Sequence, residues 1–177
     1  MRVSKAYNSF MAMAALNNRL PPNGNTAVNA AHIALFSGTP PTDAQLNAMI
    51  GTAGQAITWS AAAISSFATA TNFLGDVMCG VMTVTMDIDN NVMQLPFSAQ
   101  TNLATIASSG TPTWFMMRLA SAASAVDTFA GFAAGGSAYV VITGTVGDEN
   151  SNADLKIVGG TVVAGQPLRL ADMRIKY

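Results

Sequence analysis

The stretch from residue 139 to 175 constrains the fold more than any other part of the chain. It runs as short apolar, β-branched segments at 139–146, 155–158, 161–165 and 168–175. Between them stand Asp148-Glu-Asn-Ser-Asn-Ala-Asp154 and Gly159-Gly160. Such runs, punctuated by Gly and Asn/Asp turns, are the pattern of antiparallel strands. Strands this apolar need a covering layer, and charge does not supply one. Asp, Glu, Lys and Arg make up only 10% of the residues, against about 25% in an ordinary soluble domain. A chain of this kind leaves neutral, semi-apolar surface exposed, and such surface marks interfaces. Obligate interfaces resemble a core cut in half, so the composition predicts an obligate oligomer or assembly component.

The placement of charge narrows the partners. No Lys or Arg lies between Arg19 and Arg118. A nucleic-acid binder carries a basic stripe with interleaved aromatics, which the middle of this chain cannot supply, so no nucleic-acid partner is expected. The basic residues near the two ends read as solvating charges. Cys79 is the single cysteine, which excludes an intramolecular disulfide and a cysteine-based zinc site. Within Val77-Met-Cys-Gly-Val-Met82 it reads as a small hydrophobe. Asn17 and Asn18 break the apolar part of residues 1–20, leaving no signal-peptide h-region. Apolar stretches elsewhere are interrupted well short of a membrane span. The expectations are synthesis in a cytoplasm and no membrane partner.

Residues 4–20 predict a helix. Tyr7, Phe10, Met11, Ala14 and Ala15 form a stripe at helical period, Ser4 is the N-cap, and Pro21-Pro22-Asn-Gly24 stops the run. The stripe either docks on a neighbouring subunit or, the reading preferred here, packs on the chain's own sheet. His32-Ile-Ala-Leu-Phe36 is a strand, Ser37-Gly-Thr-Pro-Pro41 a turn, and residues 42–50 hold one or two helical turns capped by Thr42 or Asp43. Residues 61–68 fit a short helix or a buried strand, and residues 72–75 read as loop. Residues 81–88 alternate, with Met82, Val84, Met86 and Ile88 toward the core and Val81, Thr83, Thr85 and Asp87 on a wet or interface face. Asp89-Asn-Asn91 turns the chain back through residues 92–95. Trp114-Phe-Met-Met-Arg-Leu119 is another strand, and the small residues of 120–136 read as a loop or close-packed arm. In the last strand Leu168 and Leu170 share one parity and Met173 and Ile175 the other, so a bulge is expected near Ala171-Asp172. Seven to nine strands and one helix give a mainly β fold, an antiparallel β-sandwich or jelly-roll-like domain over 25–177 behind an N-terminal helix or arm over 1–24.

No catalytic, cofactor-binding or metal site is read from the residues. Asp148, Asn150, Asn152 and Asp154 match the first half of a calcium loop, but Ala153 stands where Gly is needed and Gly159 where a bidentate Glu belongs. A hairpin turn accounts for them better. Asp87 and Asp89 both reach the wet face, yet a hydrolytic carboxylate pair needs a cleft and a raised pKa on one partner. His32, the one histidine, reads as a satisfied structural residue. Trp59 and Trp114 are the candidate sugar-stacking aromatics, with Trp114 expected to be buried in its apolar run.

Two stretches carry a resemblance. Ile33-Ala-Leu-Phe-Ser-Gly-Thr-Pro-Pro41, after an N-terminal helix, resembles the "LRIYSGTPP"-type start of small virion-associated proteins of tailed bacteriophages. Ile142-Thr-Gly-Thr-Val-Gly147, Ala153-Asp-Leu155 and Val163-Ala-Gly-Gln-Pro167 are similar to their C-terminal "GTVG…ADL…IAAGQ" segment. Residues 42–110 depart from the pattern. The resemblance implies a structural virion role, with no enzymatic activity and no cofactor. Its expected partners are copies of the chain, as a trimer or ring, and the major capsid or tail proteins. A capsid-attached decoration or minor head protein is the preferred form. A tail, neck or fibre-base component, or a carbohydrate-binding module at the tail, is the alternative.

Overall fold

The computed structural model describes residues 30–49, 61–79, 85–96, 106–120, 128–134, 141–168 and 170–176, with residues 4, 5, 7, 8 and 11 ahead of them. Among the described residues there are eight strands: β1 (Ala30–Phe36), β2 (Phe73–Cys79), β3 (Thr85–Asp87), β4 (Val92–Pro96), β5 (Trp114–Ala120), β6 (Val141–Asp148), β7 (Leu155–Ile157) and β8 (Leu170–Lys176). Three short helices, α1 (Asp43–Asn47), α2 (Ala61–Ile64) and α3 (Phe129–Ala134), lie between them. The strands run side by side in the order β2-β1-β5-β6-β7-β8-β4-β3.

β6 belongs to both halves of this sheet. Its residues 141–145 pair antiparallel with β5, and residues 146–148 pair with β7. Apolar side chains from the two halves form one cluster. Ile33, Leu35, Val77, Phe115 and Met117 meet Met93, Leu155, Ile157, Leu170 and Met173 there. The sheet therefore folds back on itself, and the architecture is mainly β and sandwich-like.

The first half is buried on its other face too. Ala34, Phe36, Phe73, Trp114 and Met116 pack against Ile64 of α2, Phe132 and Ala133 of α3, and Met49 and Ala68 beside the helices. A strand covered on both faces is written as a continuous apolar run, which explains Ile33-Ala-Leu-Phe36 and Trp114-Phe-Met-Met117. At the centre of this layer the Phe36 and Trp114 rings stack, 4.2 Å apart and 10° from parallel, and Phe132 meets Phe36 edge-on.

Several local expectations hold. Thr42 caps α1 through a full capping box with Gln45. Asn91 takes the left-handed conformation in the β3–β4 turn, with φ 52°. Thr85 and Asp87 are exposed while Met86 packs on the core. The bulge in β8 is present: Leu155 pairs with Met173 but Ile157 with Leu170, leaving one extra residue on β8, and Leu170 and Met173 are both buried.

Other expectations are corrected. Residues 73–75 are strand, not loop. Leu35 pairs with Gly75 and Phe36 with Phe73, so Leu74 is a bulged extra residue that turns into the core. The bulge breaks the period-2 pattern by which strands are recognised. Residues 129–134 are helix rather than loop. Thr128 Oγ1 accepts from the Gly131 N–H, and Phe129 and Phe132 face the sheet one turn apart. The sheet is not wholly antiparallel, because β6 and β7 run parallel and residues 149–154 are not a hairpin turn. Ile88 sits in a turn and is exposed. In the segment expected to form an N-terminal helix, Asn8 N–H bonds Ser4 C=O and Ser4 Oγ accepts from Tyr7 N–H. Tyr7 and Met11 of its stripe are exposed rather than packed on the sheet. The rest of that segment, including the boundary at residue 24, lies outside the described residues.

Candidate functional site

The sequence candidates do not converge. Trp59 lies outside the described residues, and Trp114 is fully buried. Cys79 ends β2, where it pairs with Ala31. Asp87 is held in its turn by the Asn90 side chain, at 2.7 Å, and by the Asn90 N–H, at 3.1 Å. Those two donors hold its carboxyl below the usual range, the opposite of what a general acid needs. Lys5 Nζ donates to the Asp89 carbonyl. In the calcium-like stretch Asp148 accepts from the Asn150 N–H, and Asp154 turns instead to Thr145.

That Thr145–Asp154 contact explains a motif. Asp154 Oδ2 accepts from the Thr145 N–H at 2.9 Å and from its hydroxyl at 2.8 Å, while the Asp154 N–H returns a bond to Thr145 Oγ1 at 3.1 Å. Gly144 makes room for it: a Cβ there would come 2.8 Å from both Asp154 Oδ2 and Phe115 Cε1. The Gly144-Thr-Val-Gly147 and Asp154-Leu155 residues thus pin parallel β7 to β6. The Ser37-Gly-Thr-Pro-Pro41 turn is pinned in the same way. Thr113 donates its N–H to Phe36 C=O and its hydroxyl to Gly38 C=O, at 2.8 and 2.6 Å.

A cluster absent from the sequence reading sits on the helix-covered face. His32 on β1, Asp76 on β2 and Arg118 on β5 are 1%, 3% and 0% exposed. The registers His32↔Arg118 and Ala34↔Asp76 bring them onto one face of three adjacent strands. His32 Nδ1 lies 3.2 Å from Asp76 Oδ2, and Arg118 Nη2 donates to the same oxygen at 3.5 Å. The guanidinium lies 5.1 Å from the centroid of the Phe132 ring. Burial lowers the Arg118 pKa, and the Asp76 charge opposes that shift. His32 Nε2 and Asp76 Oδ1 have no hydrogen-bond partner among the described residues, so within those residues His32 is bonded through one ring nitrogen. An Asp–His pair is a catalytic fragment only with a nucleophile and substrate access, and none of these three side chains reaches solvent. The arrangement ties β2, β1 and β5 together and orients α3. Its sequence signal was an ionisable residue inside each of three apolar runs: His32, Asp76 and Arg118.

The open surface lies on the other half of the sandwich. Two adjoining hollows, of about 410 and 360 Å³, share Val92 and Arg174 on the outer face of β4 and β8. Thr85, Asp87 and Gln94 line the first, and Asp154, Lys156 and Lys176 the second. Among the described residues, neither is lined by an aromatic ring. Among the described residues no group of three or more His, Cys, Asp or Glu converges in a way that would hold a metal, and no helix is long and apolar enough to cross a membrane. Comparison with family models, curated proteins and solved structures returned no match.

Proposed function

We propose that this chain is a structural protein of a tailed-phage virion, a capsid-attached decoration or minor head protein that works by assembly rather than catalysis. The observation that carries the reading is what the motif residues do. Gly144, Thr145 and Asp154 lock β6 to β7, and Thr113 locks the turn at Gly38. Motifs of this kind specify a rigid frame rather than a reaction. The polar buried groups point the same way: His32, Asp76 and Arg118 are closed inside, where buried polar networks fix one packing of a core. The working surfaces left are broad and open, as an assembly subunit requires.

A tail, neck or fibre-base position is the second form of the same reading. The carbohydrate-binding alternative has less support, since among the described residues the hollows present no aromatic ring on which a sugar could stack. Mass spectrometry of purified particles, followed by reconstruction of the particle with this chain traced in the map, tests the proposal. Symmetry-related density on the capsid lattice is the expected result. Density confined to the tail moves the protein to the second form, and absence from the particle overturns the proposal.

A further inference from the structure

We infer that copies of this chain associate head to tail, an apolar knob at one end of the sandwich seating on an uncharged platform at the other; this rests on the assembly reading and names the surfaces of its contact. Among the described residues the large apolar side chains left open to solvent are Tyr7, Met11, Ile88, Val158 and Val163, each 48–60% exposed. They fall at two ends of the sheet. Ile88 lies in the β3–β4 turn, just past the pairs Asp87↔Val92 and Val92↔Lys176. Lys5 Nζ donates to the Asp89 carbonyl of that turn at 2.9 Å, which holds the segment carrying Tyr7 and Met11 beside it. Val158 follows Ile157, which pairs with Leu170 at the other end of β8. Six residues of strand separate Leu170 from Lys176, so the two sets stand about 20 Å apart along it.

The end that carries Val158 and Val163 is a preformed support. Residues 37–42, 106–113 and 158–168 meet there, and none of them is Lys, Arg, Asp or Glu. Gly110 and Val162 exchange backbone bonds at 3.0 and 2.9 Å, the Ala164 N–H donates to Ser109 Oγ at 2.9 Å, and Thr113 Oγ1 donates to Gly38 C=O at 2.6 Å. A surface fixed in this way loses little freedom on binding. Interface centres are depleted in charge, and a charge buried against an uncharged surface goes unpaired, so the platform takes an uncharged occupant. Tyr7, Met11 and Ile88 of a second copy are such an occupant, with Tyr7 as the aromatic anchor. Asp148 and Glu149 border the platform at Gly160 and Gly159, and Lys5, Asp87 and Asp89 border the knob; all five are exposed, as a polar rim is. One contact between unlike ends covers both apolar sets, whereas pairing of two like ends leaves the other set open. The contact is therefore heterologous and propagates into a ring or a stack.

The test is light scattering behind size-exclusion chromatography of the full chain at micromolar concentration. The wild type is expected as an oligomer. V158E/V163E, which spoils the platform, and Y7E/M11E, which spoils the knob, are each expected as monomers, their association weakened at least about a hundredfold by unpaired carboxylates in the contact. Mixed one to one, the two variants bring together one intact knob and one intact platform and are expected to form a dimer that grows no further. Circular dichroism checks the fold of each variant, and Ile88→Lys, at an exposed turn position, gives a second knob variant. A monomeric wild type, a mixture that stays monomeric, or either variant alone associating as the wild type does overturns the inference. Particle incorporation separates it from the reading beneath it. Wild-type chain in particles with a failed mixing experiment overturns the contact and leaves the assembly role standing. Absence of the wild type from particles overturns the assembly role, and the mixing experiment still decides the contact.

Discussion

Replacing Asp76 with alanine removes the carboxylate that faces both His32 and Arg118. The three side chains are almost completely buried, so the arginine stays in a buried site from which the Asp76 carboxylate has gone. Breaking a buried pair by deleting one partner costs about 3–5 kcal/mol. A domain of this size is stable by about 5–15 kcal/mol in total, so Asp76→Ala removes a large share. At about 2–4 °C per kcal/mol, the melting temperature falls by roughly 6–20 °C. In urea, with a slope of about 2 kcal/mol/M, the midpoint moves by about 1.5–2.5 M. The assay is urea unfolding followed by tryptophan fluorescence, with Trp114 buried against Phe36 as a reporter. Added salt leaves the loss unchanged, because a buried pair is little screened. The triple replacement His32→Phe, Asp76→Leu, Arg118→Met removes all the charge at once and is expected to be neutral or stabilising by about 1–4 kcal/mol. A double-mutant cycle between Asp76→Ala and Arg118→Met should show coupling of more than about 0.5 kcal/mol. A loss below 1 kcal/mol for Asp76→Ala, or strict additivity in the cycle, would refute the reasoning.

Three further outcomes are expected. Gly144→Ala drives a methyl into Phe115 and Asp154 and should cost about 1–3 kcal/mol by thermal denaturation, whereas an alanine at exposed Gln166 should cost nothing measurable. Thr42→Ala removes the α1 cap and should cost about 1 kcal/mol, with faster amide exchange confined to the first turn of that helix. The Asp87 carboxyl should titrate below 3.8 by NMR, and Asn90→Ala should bring it back toward that value. Since its pKa is depressed on folding, its support for the β3–β4 turn is full above the unfolded value and is lost as pH falls through the folded one. Weakening of that turn on raising the pH through neutrality would contradict this sign.

What the sequence made legible was written locally. The strand at residues 32–36, the Thr42 cap, the Asn91 turn and the β8 bulge each depend on a few neighbouring residues, and each was found. The misses share a different cause. Leu74 is a bulged residue, so the alternation that marks a strand fails where β2 begins. The parallel β6–β7 pair carries turn residues that a hairpin would also use, and only the Thr145–Asp154 contact decides between them. The buried cluster joins residues 44 and 42 apart in sequence, and nothing local says that three isolated ionisable residues in apolar runs meet. The hollows likewise depend on strand order. Lys156 and Arg174 became neighbours of Val92 only because β8 lies between β7 and β4.

The strand order also sets a timetable for synthesis. β2, β1, β5 and β6 can all pair once residue 148 has left the ribosome. β4 can pair only with β3, because its other neighbour, β8, runs to Lys176. At about 5–20 residues per second, the roughly 28 intervening residues leave an apolar half-sandwich waiting for about 1.5–6 s. During that interval Ile33, Leu35, Val77, Phe115 and Met117 lack the β7–β8 part of their opposing layer. The nascent chain is therefore most prone to aggregation just before its last strand arrives, and a chaperone that shields this face would act in that window. A ribosome-stalled chain ending at residue 148 should bind such a chaperone more tightly than one in which residues 149–176 have also emerged.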